Sequence, residues 1–414
     1  MRPSSAVPVA CCLIQWALCY QDQNPLLGAD AGKLVSSHGH DYPPSYRNEL
    51  LRLHKDLISI PSITGDENNV GRFIVGYLTK SGYNAQLQSV AEEGSPKGKE
   101  RFNILAWKGG ETPSPRVVVS THIDVVPPHI PYSIEHGEIT GATMIKGRGS
   151  VDAKGSLASM ITAVNQLHHA NSITTPEDVL LLLVVGEEVA GDGMRIFSKS
   201  LAEMKNPLRP EAVIFGEPTE NRLACGHKGG LFCDVVAKGA PGHSGYPWLG
   251  KSANELMVRA MAKILDTDLG SSELFGDTTF NIGRFDGGVA ANVIPETAKV
   301  KFAARIATGP EESAHLVVKE KVQSILDEVD KQAFEMICTH GYGSVKCNCE
   351  VEGFNKITVN YGTDIPNLAG NHTRYLYGPG NILVAHGARE NLTVADLEEA
   401  VEGYKKLILH ALKS

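Results

Sequence analysis

The sequence predicts an α/β protein, a mostly parallel sheet flanked by helices, with an inserted ferredoxin-like α+β domain. Three observations carry that prediction. Unbroken apolar runs (RVVVS at 116–120, VLLLLVV at 179–185, AVIF at 212–215) alternate with stretches of helical periodicity. Strands without a polar face belong to sheets covered on both sides, as parallel sheets are. After residue 228 the order changes to β-α-β-β-α-β, the ferredoxin-like arrangement. A chain of 414 residues is also too long for one simple core and suits two domains.

The elements follow in order. Residues 6–19 (AVPVACCLIQWALC) form a short apolar stretch behind Arg2 and end on small residues, the pattern of a signal peptide over 1–19. The stretch is shorter than the ~20 apolar residues of a membrane span, and no other segment is a span candidate, so a secreted, extracellular protein without a membrane partner is expected. Helical spacing covers 46–58, 69–80 and 156–168, the last with Leu157, Met160, Ile161, Val164 and Leu167 on one face. The tract 92–101 (EEGSPKGKER) and the segment just after the leader are the candidates for disorder.

The inserted domain, 228–352, begins with a strand at 231–238 and a helix at 252–265. Strands at 279–285 and 297–306, a helix at 311–329 and a last strand near 345–350 complete it. The first domain, 46–227, resumes at 353 and runs to 414. It closes with a strand at 375–377, a Gly378-Pro379-Gly380 turn and a helix at 394–412.

The formal net charge of -8 does not suggest nucleic acid as a partner, since that usually needs a basic face. Two glycosylation sequons start at Asn371 and Asn391, in keeping with secretion. Loss of the leader leaves Cys225, Cys233, Cys338, Cys347 and Cys349, hence at most two bridges and one free thiol. The Cys347-Asn348-Cys349 pair has no second such pair nearby, which favours bridge partners or buried thiols over a metal site.

Five polar clusters stand at strand ends or helix starts: Thr121-His122-Ile123-Asp124, the stretch GRGSVDAKG at 147–155, Gly186-Glu187-Glu188, Gly216-Glu217-Pro218-Thr219 and Ala385-His386. In open α/β sheets, chemistry collects beyond the carboxyl ends of strands. Singly, each has an ordinary reading: His122 as a core histidine, Asp152 as a helix cap, Glu187 and Glu188 as a solvated pair. Together, two histidines and several carboxylates suit zinc. Two adjacent carboxylates directly after seven apolar residues are costly unless a cation compensates them.

In this order the clusters resemble the co-catalytic zinc hydrolases that include acetylornithine deacetylase, succinyl-diaminopimelate desuccinylase, aminoacylase-1 and carboxypeptidase G. The resemblance runs from about Tyr46 to the C-terminus. The tail Val359-Asn360-Tyr361-Gly362-Thr363-Asp364, Gly378-Pro379-Gly380 and Ala385-His386 looks most like the acetylornithine deacetylase branch. Gly242-His243-Ser244, and Gly283-Arg284 through Ala291-Asn292-Val293-Ile294-Pro295, match the lid motifs. The resemblance implies a zinc-peptidase-type sheet with an inserted lid and dimerisation domain, two Zn2+ per subunit, and a homodimer. It implies that His122 and Glu217 hold one zinc, Glu188 and His386 the other, and that Asp152 bridges both. Asp124 would accept the other imidazole N–H of His122, and Glu187 would be the general base. His243 would act from the neighbouring subunit as oxyanion donor, and Asn292, Arg305 and Thr363 would grip a substrate carboxylate. His227-Lys228 stands where the desuccinylase branch carries arginines, which argues against that substrate.

The expected activity is that of a carboxypeptidase or dipeptidase-like peptidase, since a secreted enzyme meets peptides. An N-acyl-amino-acid deacylase would use the same site. A non-catalytic secreted zinc-binding protein is the reading from another class, and the intact Glu187 argues against it.

Overall fold

The computed structural model describes residues 42–90, 100–203, 208–339 and 341–413. The leader expected at 1–19 and most of the 92–101 tract lie outside the described residues. Everything below belongs to the compact unit Pro44–Ser414.

A six-stranded sheet organises the first domain, in the order Asn84–Ser89, Phe102–Trp107, Val179–Val184, Val117–His122, Ala212–Gly216, Thr373–Tyr377. The last four run parallel, and Phe102–Trp107 opposes both its neighbours. The apolar runs are unbroken because successive side chains enter different cores. Val117, Val119, Leu181, Leu183 and Ile214 join helices Arg47–Ser59, Asn68–Lys80, Lys154–His169 and Val394–Ala411. Val118, Leu180, Leu182, Val213 and Phe215 join Met194 and Phe197 of helix Asp192–Glu203 on the other face. Burying each such side chain contributes roughly 1.5–3 kcal/mol.

The inserted domain is a four-stranded antiparallel sheet, ordered Thr279–Gly287, Thr297–Ile306, Gly229–Lys238, Phe334–Cys338. Helices Ala253–Leu265 and Ala314–Asp330 supply the rest of its core. The first helix starts where Ser252 accepts the N–H of Glu255, a side-chain cap. Its last strand corrects the sequence expectation. Phe334, Met336 and Cys338 alternate with Glu335 and Ile337 and fill the sheet edge. The segment expected to do so, near 345–350, instead pairs Val345–Lys346 with Leu223–His227. Lys356–Val359 lines up parallel on the other side of that strand.

Two disulfides are present, Cys225–Cys349 and Cys233–Cys338, and Cys347 is a free thiol. The first joins the two connections at the root of the insertion, and the second ties adjacent lid strands. Burial pushes the Cys347 thiol up to about 12, so it is a protonated, inert group. No helix among the described residues is long and apolar enough to cross a membrane.

Candidate metal centre

Four neighbouring parallel strands end at one edge of the sheet, and residues far apart in sequence meet there. His122 is the last residue of its strand, Glu217 follows Gly216, and Glu187 and Glu188 follow Val179–Val184 across a turn at Gly186. Gly186 has φ 81°, a backbone that residues with a Cβ adopt at a cost. Asp152 precedes helix Lys154–His169, and His386 comes from the loop after Thr373–Tyr377 with φ 61°.

Asp152 lies between the two histidines. Its Oδ1 is 3.0 Å from His122 Nε2, and its Oδ2 is 3.2 Å from His386 Nε2. Glu217 Oε1 stands 3.8 Å from the same His122 nitrogen, and Glu188 Oε2 stands 2.9 Å from that of His386. Two poles result, each with one imidazole and one glutamate, sharing one aspartate. Potential ligand atoms of His122, Glu187 and Glu217 lie within 4.8 Å of one another, as do those of His122, Asp152 and Glu188. His386 is half exposed and marks the open side, while His122 is buried.

The donor set suits a divalent cation. His122 Nδ1 is 3.0 Å from the Asp124 carbonyl, which can only accept, so this nitrogen donates. In a neutral ring that leaves Nε2 a lone pair aimed at carboxylates, as in a metal ligand. Glu188 Oε1 is buried without a hydrogen-bond partner. Burial, then Glu217, pushes Glu187 well above the usual carboxylate range. Burial does the same to Glu217, against the opposing pull of His122. His386 is raised to about 10 by its hydrogen bonds to Asp152 and Glu188. Without a cation, this cluster holds protons; a divalent ion removes that need.

Asp124 meets the His122 ring as expected, chiefly through its main chain. Its carboxylate is 3.6 Å from the His122 ring, and the backbone carbonyl takes the imidazole N–H instead. The carboxylate accepts the Thr64 hydroxyl at 2.8 Å and the N–H groups of Gly186 at 2.9 Å and of Glu187 and Glu188 at 3.3 Å. Asp124 therefore holds the turn that presents Glu187 and Glu188.

Thr363 is placed differently from expectation. It is buried, with its hydroxyl 3.0 Å from His227 Nε2 and accepting the N–H of Ile365 at 3.1 Å. His227 Nδ1 faces the Lys228 carbonyl, so Nε2 takes the threonine proton. In this arrangement Thr363 supports its loop. Arg305 is partly buried at the end of its strand, with its guanidinium 5.4 Å from the centre of the Phe232 ring. His243 and Asn292 are exposed on the lid, where Ser244 N–H donates to the Asn292 carbonyl. Among the described residues no hydrogen bond or ion pair joins either of them to the metal centre. Asn371 is exposed; Asn391 sits in a short strand with its amide donating to the Arg389 carbonyl.

Sequence reasoning left Arg148 and Glu390 without a role. Both are buried behind the ligands, as a salt bridge with Nη1 2.6 Å from Oε2. The only sequence signal was an arginine between two glycines in GRGSVDAKG and an acid four residues after His386.

Comparison with known proteins bears on this geometry. A model of the peptidase dimerisation domain matches residues 225–333. A peptidase M20 domain-containing protein of Sordaria macrospora is 51% identical over 390 residues, covering 89% of this chain and 86% of that protein. A probable carboxypeptidase of Aspergillus oryzae is 44% identical over 384 residues, covering 88% of each. Among solved structures, an M20 family metallo-carboxypeptidase of Sulfolobus solfataricus superposes with a TM-score of 0.69 at 16% identity, over 88% of this chain and 100% of that one. That last likeness speaks for the fold alone.

Proposed function

The chain belongs to the M20 peptidase family, and from that premise we propose a secreted carboxypeptidase that uses two zinc ions to cut a peptide bond beside a free carboxylate. It is a metal-dependent hydrolase of the carboxypeptidase and dipeptidase-like kind. The observation that carries the finer reading is the division of Asp152, one oxygen toward His122 and the other toward His386. A single tetrahedral ion needs four ligands; five, paired about a shared carboxylate, suit two. His122 with Glu217 would hold one, and Glu188 with His386 the other.

When bound, the zinc ions supply a water of lowered pKa and a polarised scissile carbonyl. Glu187 lies close to His122 and Glu217, and the resemblance to co-catalytic zinc hydrolases assigns it to neither pair. Burial raises its hold on a proton in the metal-free protein; beside bound cations the ionised carboxylate would take the water's proton and return it to the leaving amine. His243 would donate to the oxyanion from a second subunit; its exposure on its own chain and the dimerisation-domain match support that arrangement. The substrate carboxylate falls to Arg305, whose planar fork suits it, and to Asn292.

The test is an assay of the purified protein on dipeptides, on the same dipeptides amidated at the C-terminus, and on N-acyl amino acids, with and without chelator. Chelator-sensitive cleavage of the free-carboxylate dipeptides is the expected outcome. Turnover confined to N-acyl amino acids would make it a deacylase, and zinc uptake with no turnover would make it a binding protein. Secretion is tested by N-terminal sequencing of protein from the medium, with a new terminus expected near residue 20.

A further inference from the structure

We infer that the buried Arg148–Glu390 pair is a positioning device that sets the spacing of the two metal poles. The inference rests on the reading of Asp152 and His386 as ligands. These ligands come from segments more than two hundred residues apart, and this pair is where the segments are fastened. Glu390 Oε1 accepts the N–H groups of Val151 at 3.1 Å and of Asp152 itself at 3.3 Å. Its Oε2 takes Arg148 Nη1 at 2.6 Å. The guanidinium then reaches the other segment, with Nη2 3.2 Å from the His386 carbonyl and Nη1 3.3 Å from that of Gly387. Its Nε donates to the Pro128 carbonyl at 3.3 Å. The Gly147 N–H to the Glu390 carbonyl, at 3.3 Å, adds a backbone tie.

The pair thus bonds the backbones of both ligands while touching neither ligand's side chain. Arg148 and Glu390 are 2% and 1% exposed, where separated charges are costly and a pair is kept for the geometry it imposes. That geometry is demanding at His386, whose φ of 61° places a non-glycine residue in the left-handed region. A planar fork can bond two successive carbonyls of such a turn and a carboxylate together. A lysine ammonium keeps the charge and cannot span them all.

The experiment compares full-length wild type with Arg148→Lys and Glu390→Gln, each stripped of metal and titrated with zinc against a chromophoric chelator. Melting of each metal-free form is measured alongside. Expected is a loss of zinc affinity of about 10–100-fold, the size found when groups that orient ligands are changed. Circular dichroism of the metal-free protein should stay that of wild type, and melting should remain cooperative though at a lower temperature, since a buried pair is disturbed. Wild-type zinc affinity in both variants overturns the proposal, as does a loss that only follows a smaller folded fraction. If Arg148→Lys is not recovered folded, Glu390→Gln decides by the same criterion. His386→Ala and Asp152→Ala are titrated in parallel. Should these bind both zinc ions like wild type, the ligand reading itself has failed; should they lose zinc while the pair variants do not, only the positioning role has.

Discussion

The sheet edge and the lid carry their functional residues in opposite ways. At the sheet edge, Asp152, Glu188 and Glu217 crowd two imidazoles, and Asp124, Thr64, Arg148 and Glu390 hold the backbone beneath them. On the lid, His243 and Asn292 face solvent, and the hydrogen bond to the His243 ring comes from Gly245, two residues away. A site that must concentrate charge is built before its ligand arrives, because each buried carboxylate needs a fixed counterpart. A residue meant for another subunit's site can stay unconstrained on its own chain. On the proposed reading, the difference separates what one chain would complete from what would take two.

Breaking the sheet-edge side should have the largest effect. Glu187→Gln is expected to keep zinc and fold while lowering kcat by about 10²–10⁴-fold. Steady-state kinetics with metal analysis on the same sample checks this; loss of zinc with a normal rate per bound metal would exchange the roles of Glu187 and Glu188.

On the lid side, His243→Ala should cost about 10²–10³-fold in kcat, the worth of one oxyanion donor, with zinc content unchanged. Mixing this variant with Glu187→Gln under subunit exchange gives dimers in which one site has both residues intact. Activity should return in the mixture. Mixed dimers that form and stay inactive would confine His243 to its own chain and dissolve the comparison.

A smaller effect separates folding from catalysis. Burial pushes His54 and His227 of the first domain down to about 4 from an ordinary 6.5. Between those values the unfolded chain takes up protons that the folded chain refuses. Their contribution to stability is therefore full above pH 6.5 and falls as pH drops toward 4, by at most about 3 kcal/mol for each residue. Denaturant midpoints of metal-free protein should follow this slope, and His54→Gln should flatten it. An unchanged slope would place the acid sensitivity elsewhere.

What the sequence made legible follows the same division. The strands at 116–120, 179–185 and 212–215 were readable because both their faces are buried, and the ligand clusters because chemistry gathers at strand ends. Strand Phe102–Trp107 was missed although it is wholly buried. Its Asn103 interrupts the apolar run and survives there by bonding Gln88 and the Gly193 carbonyl, partners that exist only after folding. The final lid strand was misplaced because alternation over five residues, Phe334 to Cys338, is a weak signal beside a longer helix. Arg148 and Glu390 were invisible for a similar reason: their partners are backbone atoms, which carry no residue identity. The Asp124 contact with His122 was legible, but not which oxygen makes it, since a sequence cannot say whether a carbonyl or a carboxylate of one residue meets a ring.

The Cys225–Cys349 bond has a mechanical consequence. It joins two points of the chain whose Cα atoms are 4.8 Å apart, although 124 positions separate them in sequence. To the first domain, the whole insertion therefore begins and ends almost at one place, as a hairpin turn would. Just beyond the bond, Gly226 and His227 pair with Lys346 and Val345 on one side and Lys356–Val359 lies on the other, so the lid stands on a three-stranded ribbon clamped at its foot. Such a ribbon flexes across its face and resists having its strands drawn apart. The insertion can therefore be loaded from above without its two ends separating at the foot.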